Sequence, residues 1–74
     1  MRHIKPETQL LIESELTTAC ERWGDKFAST HEGYAVILEE LDESFDEIKA
    51  NNNDRLKQEL VQVAAMAIKL IEQL

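Results

Sequence analysis

Residues 30–50 have the sequence THEGYAVILEELDESFDEIKA, and this stretch decides the fold because it has the pattern of one long amphipathic helix. The preceding Ser29 and the following Glu32 have the Ser-x-x-Glu spacing of a capping box, so we expect the helix to begin near Thr30. Its large apolar side chains recur at helical spacing. They predict one buried stripe: Tyr34, Ile37, Leu38, Leu41, Phe45 and Ile48.

The same helix carries most of the chain's acidity. No Lys or Arg lies between Lys26 and Lys49. At about 100° per residue, the acids fall into two groups. Those expected to flank the apolar stripe are Glu40, Glu43 and Glu47. Those expected to face water are Glu39, Asp42 and Asp46.

One further helix is predicted on each side of this stretch. The first covers about residues 6–23, with Pro6 in its first turn and Gly24 at its end. The third covers about residues 54–74, after the turn and cap residues Asn51-Asn52-Asn53. Its apolar band is wide enough to need covering from two sides. No alternating stretch indicates a strand, so we expect a single all-α domain over residues 1–74.

A hairpin of the second and third helices brings further ligand-type residues near the first acidic group. Folding about Asn52 puts Glu59 and Gln62 within about five helical positions of Glu40 and Glu43, roughly 7–8 Å along the axis. Oxygen ligands at that separation can converge on one or two Mg²⁺ ions. The alternative is a solvated acidic boundary, which is the commoner arrangement on helix pairs.

These residues also resemble a known family pattern. Residues 39–43, Glu-Glu-Leu-Asp-Glu, have the form EExxE, and residues 59–62, Glu-Leu-Val-Gln, follow after a spacer. Together they resemble the EExxE and ExxD motifs of the MazG-like all-α nucleoside triphosphate pyrophosphohydrolases, especially the short phage-type members. The flanking residues 31–36 and 63–67 are similar to phage-type sequences as well. The likeness covers about residues 23–74.

The resemblance implies Mg²⁺-dependent cleavage, with Mn²⁺ as a second candidate ion, between the α- and β-phosphates of a nucleoside triphosphate. It implies that Glu40, Glu43 and Glu59 are the catalytic metal ligands. Gln62 stands where the family has Asp and brings no charge, so Glu47 is a candidate replacement ligand. Loss of catalysis is the other consequence that Gln62 could have.

Three residues outside the motif are candidates for holding the substrate. Lys26 could pair with the triphosphate, Trp23 could stack on the base, and His31 could contact a phosphate. Each also has a commoner structural role. Aromatic residues such as Trp23 and Phe27 near a helix end usually belong to the core, and His31 in a first helical turn is usually a surface residue.

Length and composition indicate an oligomer. A chain of 74 residues rarely buries enough apolar surface to be stable by itself, and the single Cys20 excludes an internal disulfide. Oligomerisation or a bound metal therefore remains as a source of stability. Because MazG-like domains commonly have a fourth helix and the third helix here has a wide apolar band, we expect a homodimer or homotetramer that completes a helix bundle. The alternative function is a non-catalytic oligomerisation or regulatory module, and a third is nucleotide binding without hydrolysis.

Charge and hydropathy exclude other classes. The net charge of −7 argues against a nucleic acid polymer as partner, because phosphate-backbone binding needs a basic face. No apolar run approaches the ~18 residues of a membrane span, and the N-terminal sequence lacks the apolar core of a signal peptide. We therefore expect a cytoplasmic protein without membrane partners.

Overall fold

The computed structural model describes residues 3–74, which form three helices: α1 (Pro6–Trp23), α2 (Thr30–Lys49) and α3 (Asn53–Gln73). Each helix begins and ends within one residue of the predicted bounds. No strand occurs in residues 3–74, so the all-α fold class is confirmed. None of the described helices combines the length and apolar character needed to cross a membrane.

Local capping residues set the end of α1 and the start of α2. Gly24 has φ 92°, a left-handed conformation that glycine adopts without strain, and it stops α1. The Glu32 N–H donates to the Ser29 hydroxyl over 3.1 Å, as the capping box predicts. The Glu32 carboxylate accepts from the Ala28 N–H over 3.2 Å, one residue earlier than the capping box predicts.

The turn between α2 and α3 is built from asparagines, as the sequence predicts. Asn51 has φ 55°, a conformation that asparagine tolerates better than most residues. The Arg55 N–H donates to Asn52 Oδ1 over 3.2 Å, which caps α3. This short connection makes α2 and α3 an antiparallel hairpin.

α3 is the central helix. α1 and α2 both pack against it, and within the described chain they do not pack against each other. Among residues 3–74 the buried apolar core is correspondingly small, with four members: Ala19, Phe27, Ala65 and Met66. The space left between α1 and α2 is the cavity described below.

The face that α2 presents to α3 differs from the predicted one. Of the six stripe residues, only Ile37 packs against the core. The others are 44–64% exposed: Tyr34, Leu38, Leu41, Phe45 and Ile48. The prediction that the whole stripe is buried is therefore wrong for the single chain. The α2 residues that face α3 are rotated about 100° around the helix axis from the predicted stripe. They include the buried Gly33 and Ser44 and the partly buried Glu40.

Small residues explain this choice of face. A Cβ atom on Gly33 would lie 2.9 Å from Leu70 Cδ1 and 2.9 Å from Phe27 Cδ2, so any larger residue would force these side chains to shift. The Ser44 hydroxyl donates to the Glu40 carbonyl oxygen over 2.9 Å and needs no partner on α3. Close packing at Gly33 and Ser44 thus replaces the contact through the larger apolar residues.

The two sides of the α2–α3 hairpin differ in character. On both helices, each exposed apolar residue comes immediately after a residue that contacts the other helix. Phe45 follows Ser44 on α2, and Ile71 follows Leu70 on α3. One step along a helix is a rotation of about 100°. Because α2 and α3 are antiparallel, that rotation carries the exposed apolar residues of both helices to the same side of the hairpin. We call this surface the apolar face; its members are Tyr34, Leu38, Leu41, Phe45, Ile48, Leu60 and Ile71. Residues that precede the contact positions, such as Glu43, lie on the opposite side.

Candidate functional site

Three glutamates from two helices meet on the side of the hairpin opposite the apolar face. One carboxylate oxygen from each of Glu40, Glu43 and Glu59 lies within 4.8 Å of the other two. Glu40 and Glu59 are partly buried, whereas Glu43 is exposed. Oxygen ligands around one Mg²⁺ ion are separated by up to about 4 Å, so small side-chain rotations would let all three contact one cation.

Two of these carboxylates have an oxygen with no hydrogen-bond donor. Glu40 Oε2 and Glu59 Oε2 are both buried, and no group in residues 3–74 donates to either. A buried carboxylate oxygen without a donor is unfavourable because it has lost water and gained no partner. A hard divalent cation would contact both oxygens, so the cluster fits such an ion.

The proximity of the carboxylates changes their acidity. Burial, followed by the charges of Glu43 and Glu59, raises the pKa of Glu40 from 4.5 to about 7. The neighbouring Glu59 carboxyl group is the main cause of a raised pKa of Glu43. Neither ion pair of the described chain includes a member of the cluster. Without a cation, the cluster therefore retains a proton at a pH where isolated carboxylates have lost theirs.

Glu47 and Gln62, the other predicted ligands, lie in different surroundings. Glu47 Oε2 is 3.2 Å from Arg55 Nε, in an ion pair that joins the end of α2 to the start of α3. The structure does not bring Glu47 into the three-glutamate cluster. Gln62 lines a cavity that also reaches Glu40.

A cavity of about 510 Å³ lies between α1 and α2 and reaches Glu40. This volume is within the range of small-molecule sites. Its wall includes side chains of both charge signs and an exposed aromatic ring: Glu15, Arg22, Trp23, Lys26 and Lys69. The cavity exists because α1 and α2 contact different parts of α3 and leave a gap between them.

The predicted substrate residues divide between the cavity and the outer surface. Trp23 and Lys26 line the cavity, and Trp23 is 74% exposed, so it is not a core residue. His31 is exposed in the first turn of α2 and is not part of the cavity wall. Phe27 is buried and belongs to the core.

The loop between α1 and α2 is anchored to the end of α3. The Phe27 N–H donates to Gln73 Oε1 over 2.7 Å, and Gln73 Nε2 donates to the Phe27 carbonyl oxygen over 3.2 Å. This pair of hydrogen bonds holds Phe27 under the cavity. It also fixes the backbone next to Lys26.

Among the cavity residues that sequence reasoning did not assign to the site are three charged ones. Glu15 and Arg22 are on α1, whose placement on α3 could not be derived from its own pattern. Lys69 is on α3, and a signal for it was available. It is the only charged residue in the apolar run of residues 60–71.

No family model, curated protein or solved structure matches the chain. The likeness to MazG-like proteins therefore depends on the motif residues 39–43 and 59–62 and their flanks. The geometry of the three glutamates is an independent observation, because it comes from the packing of α2 on α3.

Proposed function

We propose that this protein is a Mg²⁺-dependent nucleoside triphosphate pyrophosphohydrolase, with Mn²⁺ as an alternative ion. One observation carries the proposal: a single cavity extends from Glu40, one member of the carboxylate cluster, to a wall with Arg22, Lys26 and Lys69. A triphosphate is strongly anionic and needs cations along its length. Side-chain cations supply part of that charge here, and a divalent ion on the glutamates would supply the rest.

The residues have separate roles in this proposal. Glu40, Glu43 and Glu59 hold the metal, which when bound neutralises phosphate charge and makes a bound water more acidic. Gln62 lines the same cavity as Glu40 and offers a neutral oxygen there.

The rest of the cavity wall binds the nucleotide. Arg22 and Lys26 pair with phosphate oxygens, and the exposed ring of Trp23 is a stacking surface for the base. Water is consumed and the α–β phosphoanhydride bond breaks, giving the monophosphate and pyrophosphate.

The test is a pyrophosphate-release assay with each ribo- and deoxyribonucleoside triphosphate and Mg²⁺. We expect Glu43→Gln to lower the rate about 100-fold or more, because it removes one charged ligand. Glu39→Gln is the matched control: Glu39 is exposed on the same helix and outside the cluster, and its loss should change the rate less than twofold. If no nucleotide yields pyrophosphate, the proposed function is wrong.

We also propose that the protein is a homodimer joined through the apolar face. Its accessible surface is 5837 Å². A compact monomer of this mass exposes about 4,650 Å², so the chain exposes roughly 1,200 Å² in excess. A standard interface removes about 800 Å² per partner. A second copy seated face to face on the hairpin would form a four-helix arrangement and leave the cavity open on the opposite side.

The same apolar face favours a second candidate function, a non-catalytic oligomerisation or regulatory module. In that case the glutamates only repel one another, and Glu40→Gln or Glu43→Gln should stabilise the protein without loss of any metal effect. A Mg²⁺ titration of the melting temperature distinguishes the two functions, because an ion that binds only the folded state must raise it. Nucleotide binding without turnover would select the third function, a non-hydrolysing nucleotide binder.

A further inference from the structure

Lys69 has an environment that is unusual for a lysine. Its side chain is only 4% exposed, and its Nζ lies 4.4 Å from the centroid of the Phe27 ring. Within residues 3–74 it forms no side-chain hydrogen bond or ion pair. A cation–π contact replaces only part of the hydration that an ammonium group loses on burial. The buried charge therefore lacks an anionic partner.

The position of Lys69 directs this charge into the cavity. Lys69 follows Gln62 by seven residues, so the two side chains share one side of α3 about 10 Å apart along the axis. Long side chains on a helix lean toward its N-terminus, which for Lys69 is toward Gln62 and the glutamate cluster. Lys26 lies close to Lys69, because both line a smaller adjoining cavity as well.

Acidic groups near Lys69 do not neutralise it. Asp25 and Glu72 line the adjoining cavity with Lys69, but neither forms an ion pair with it. Glu32 also lines the main cavity, but its carboxylate accepts the Ala28 N–H. Lys69 is thus a buried cation without an ion-pair partner among residues 3–74, and a charge that is shielded from water attracts an anion strongly.

We propose that Lys69 is a further anion-binding residue of the cavity, beside Arg22 and Lys26, and that its ammonium group binds a phosphate group of the ligand. The Phe27 ring and the two hydrogen bonds between Phe27 and Gln73 hold the site in place before an anion binds. Anion binding follows from the burial of Lys69, and only the assignment of the phosphate to a nucleoside triphosphate rests on the proposed function.

The probe is inorganic pyrophosphate, titrated calorimetrically without divalent metal. Lys69→Met keeps the length of the side chain and removes its charge. Lys49→Met is the matched control, because Lys49 also lies over an aromatic ring, 5.1 Å from the Phe45 centroid, but is exposed. We expect pyrophosphate affinity to fall at least about tenfold in Lys69→Met and less than twofold in Lys49→Met.

Stability separates a binding role from a structural one. Lys69→Met should raise the melting temperature, because it removes a desolvated charge from an apolar setting. A folded Lys69→Met protein with unchanged pyrophosphate affinity would overturn the inference. If that variant fails to fold, amide chemical shifts of the wild type provide the test. Pyrophosphate must then shift Phe27 and Lys69, and the absence of shifts there would overturn the inference.

Hydrolysis data distinguish this inference from the proposed function. Pyrophosphate binding through Lys69 without hydrolysis of any nucleotide would support the inference and contradict the proposed function. Hydrolysis with the same KM in Lys69→Met and wild type would support the proposed function and overturn the inference. If the proposed function and this inference are both correct, KM rises at least tenfold in Lys69→Met and kcat changes less.

Discussion

At the scale of single residues, Glu40 connects the fold to the site. It faces α3 in the hairpin contact, one carboxylate oxygen is buried without a donor, and it lies within reach of Glu43 and Glu59. The hairpin register predicted from the sequence placed these three glutamates at a similar level, because helical rise and a three-residue turn determine that register. Their separation and burial depend on the packing of α2 on α3.

The raised pKa of Glu40 predicts a pH dependence of stability. Its pKa is 4.5 when exposed and about 7 in the folded chain, so between these values the folded state holds a proton that the unfolded state has released. This contribution to the free energy of unfolding is complete below pH 4.5 and is lost as the pH rises through about 7. Urea unfolding with EDTA across this range should show the decrease.

The decrease is assigned to Glu40 by comparing variants. Glu40→Gln should remove most of the decrease in the free energy of unfolding with pH. Glu39→Gln, which alters an exposed neighbour on the same helix, should keep that decrease. Equal pH dependence in wild type and Glu40→Gln would show that Glu40 does not titrate in the stated range.

At the scale of elements, the helix ends were predictable and the buried face of α2 was not. Ser29, Gly24 and Asn52 set helix ends through bonds to their own neighbours, so the local sequence is sufficient. The face of α2 depends on its partner. Periodicity detects the apolar stripe that contains Leu41 and Phe45, but it cannot tell whether α3 or a second copy covers it.

The close contact at Gly33 can be tested by overpacking. Gly33→Val should lower the free energy of unfolding by about 2 kcal/mol, because its Cβ alone would lie 2.9 Å from both Leu70 and Phe27. Ala35→Val is the control: Ala35 is exposed two residues later, and valine there should cost only about 0.5 kcal/mol of helix propensity. Urea unfolding measures both. Equal losses would mean that the α2–α3 contact is looser than described.

At the scale of the whole molecule, the two sides of the hairpin have different chemistry. The apolar face is on one side, and the glutamate cluster and cavity are on the other. The cavity could not be predicted because it depends on where α1 lies on α3. The cavity positions of Arg22 and Glu15 follow from that placement.

The apolar face predicts the oligomeric state. Sedimentation equilibrium should give twice the chain mass of 8.5 kDa for the wild type, with a melting temperature that rises with protein concentration. Phe45→Glu puts a charge on the apolar face and should give monomers. Leu10→Glu alters an exposed apolar residue on α1, outside the apolar face, and should stay dimeric. A wild-type monomer at all concentrations would contradict the proposed dimer.

The central claim is that Glu40, Glu43 and Glu59 form one divalent metal site, and Mg²⁺ titration calorimetry at pH 8 tests it most directly. At that pH, above the raised pKa of Glu40, the carboxylates are available to the ion. We predict saturable binding by the wild type and by Glu39→Gln, and affinity at least about tenfold weaker in Glu59→Gln. Equal Mg²⁺ affinity in Glu59→Gln and wild type, or no saturable binding by the wild type, would contradict the claim.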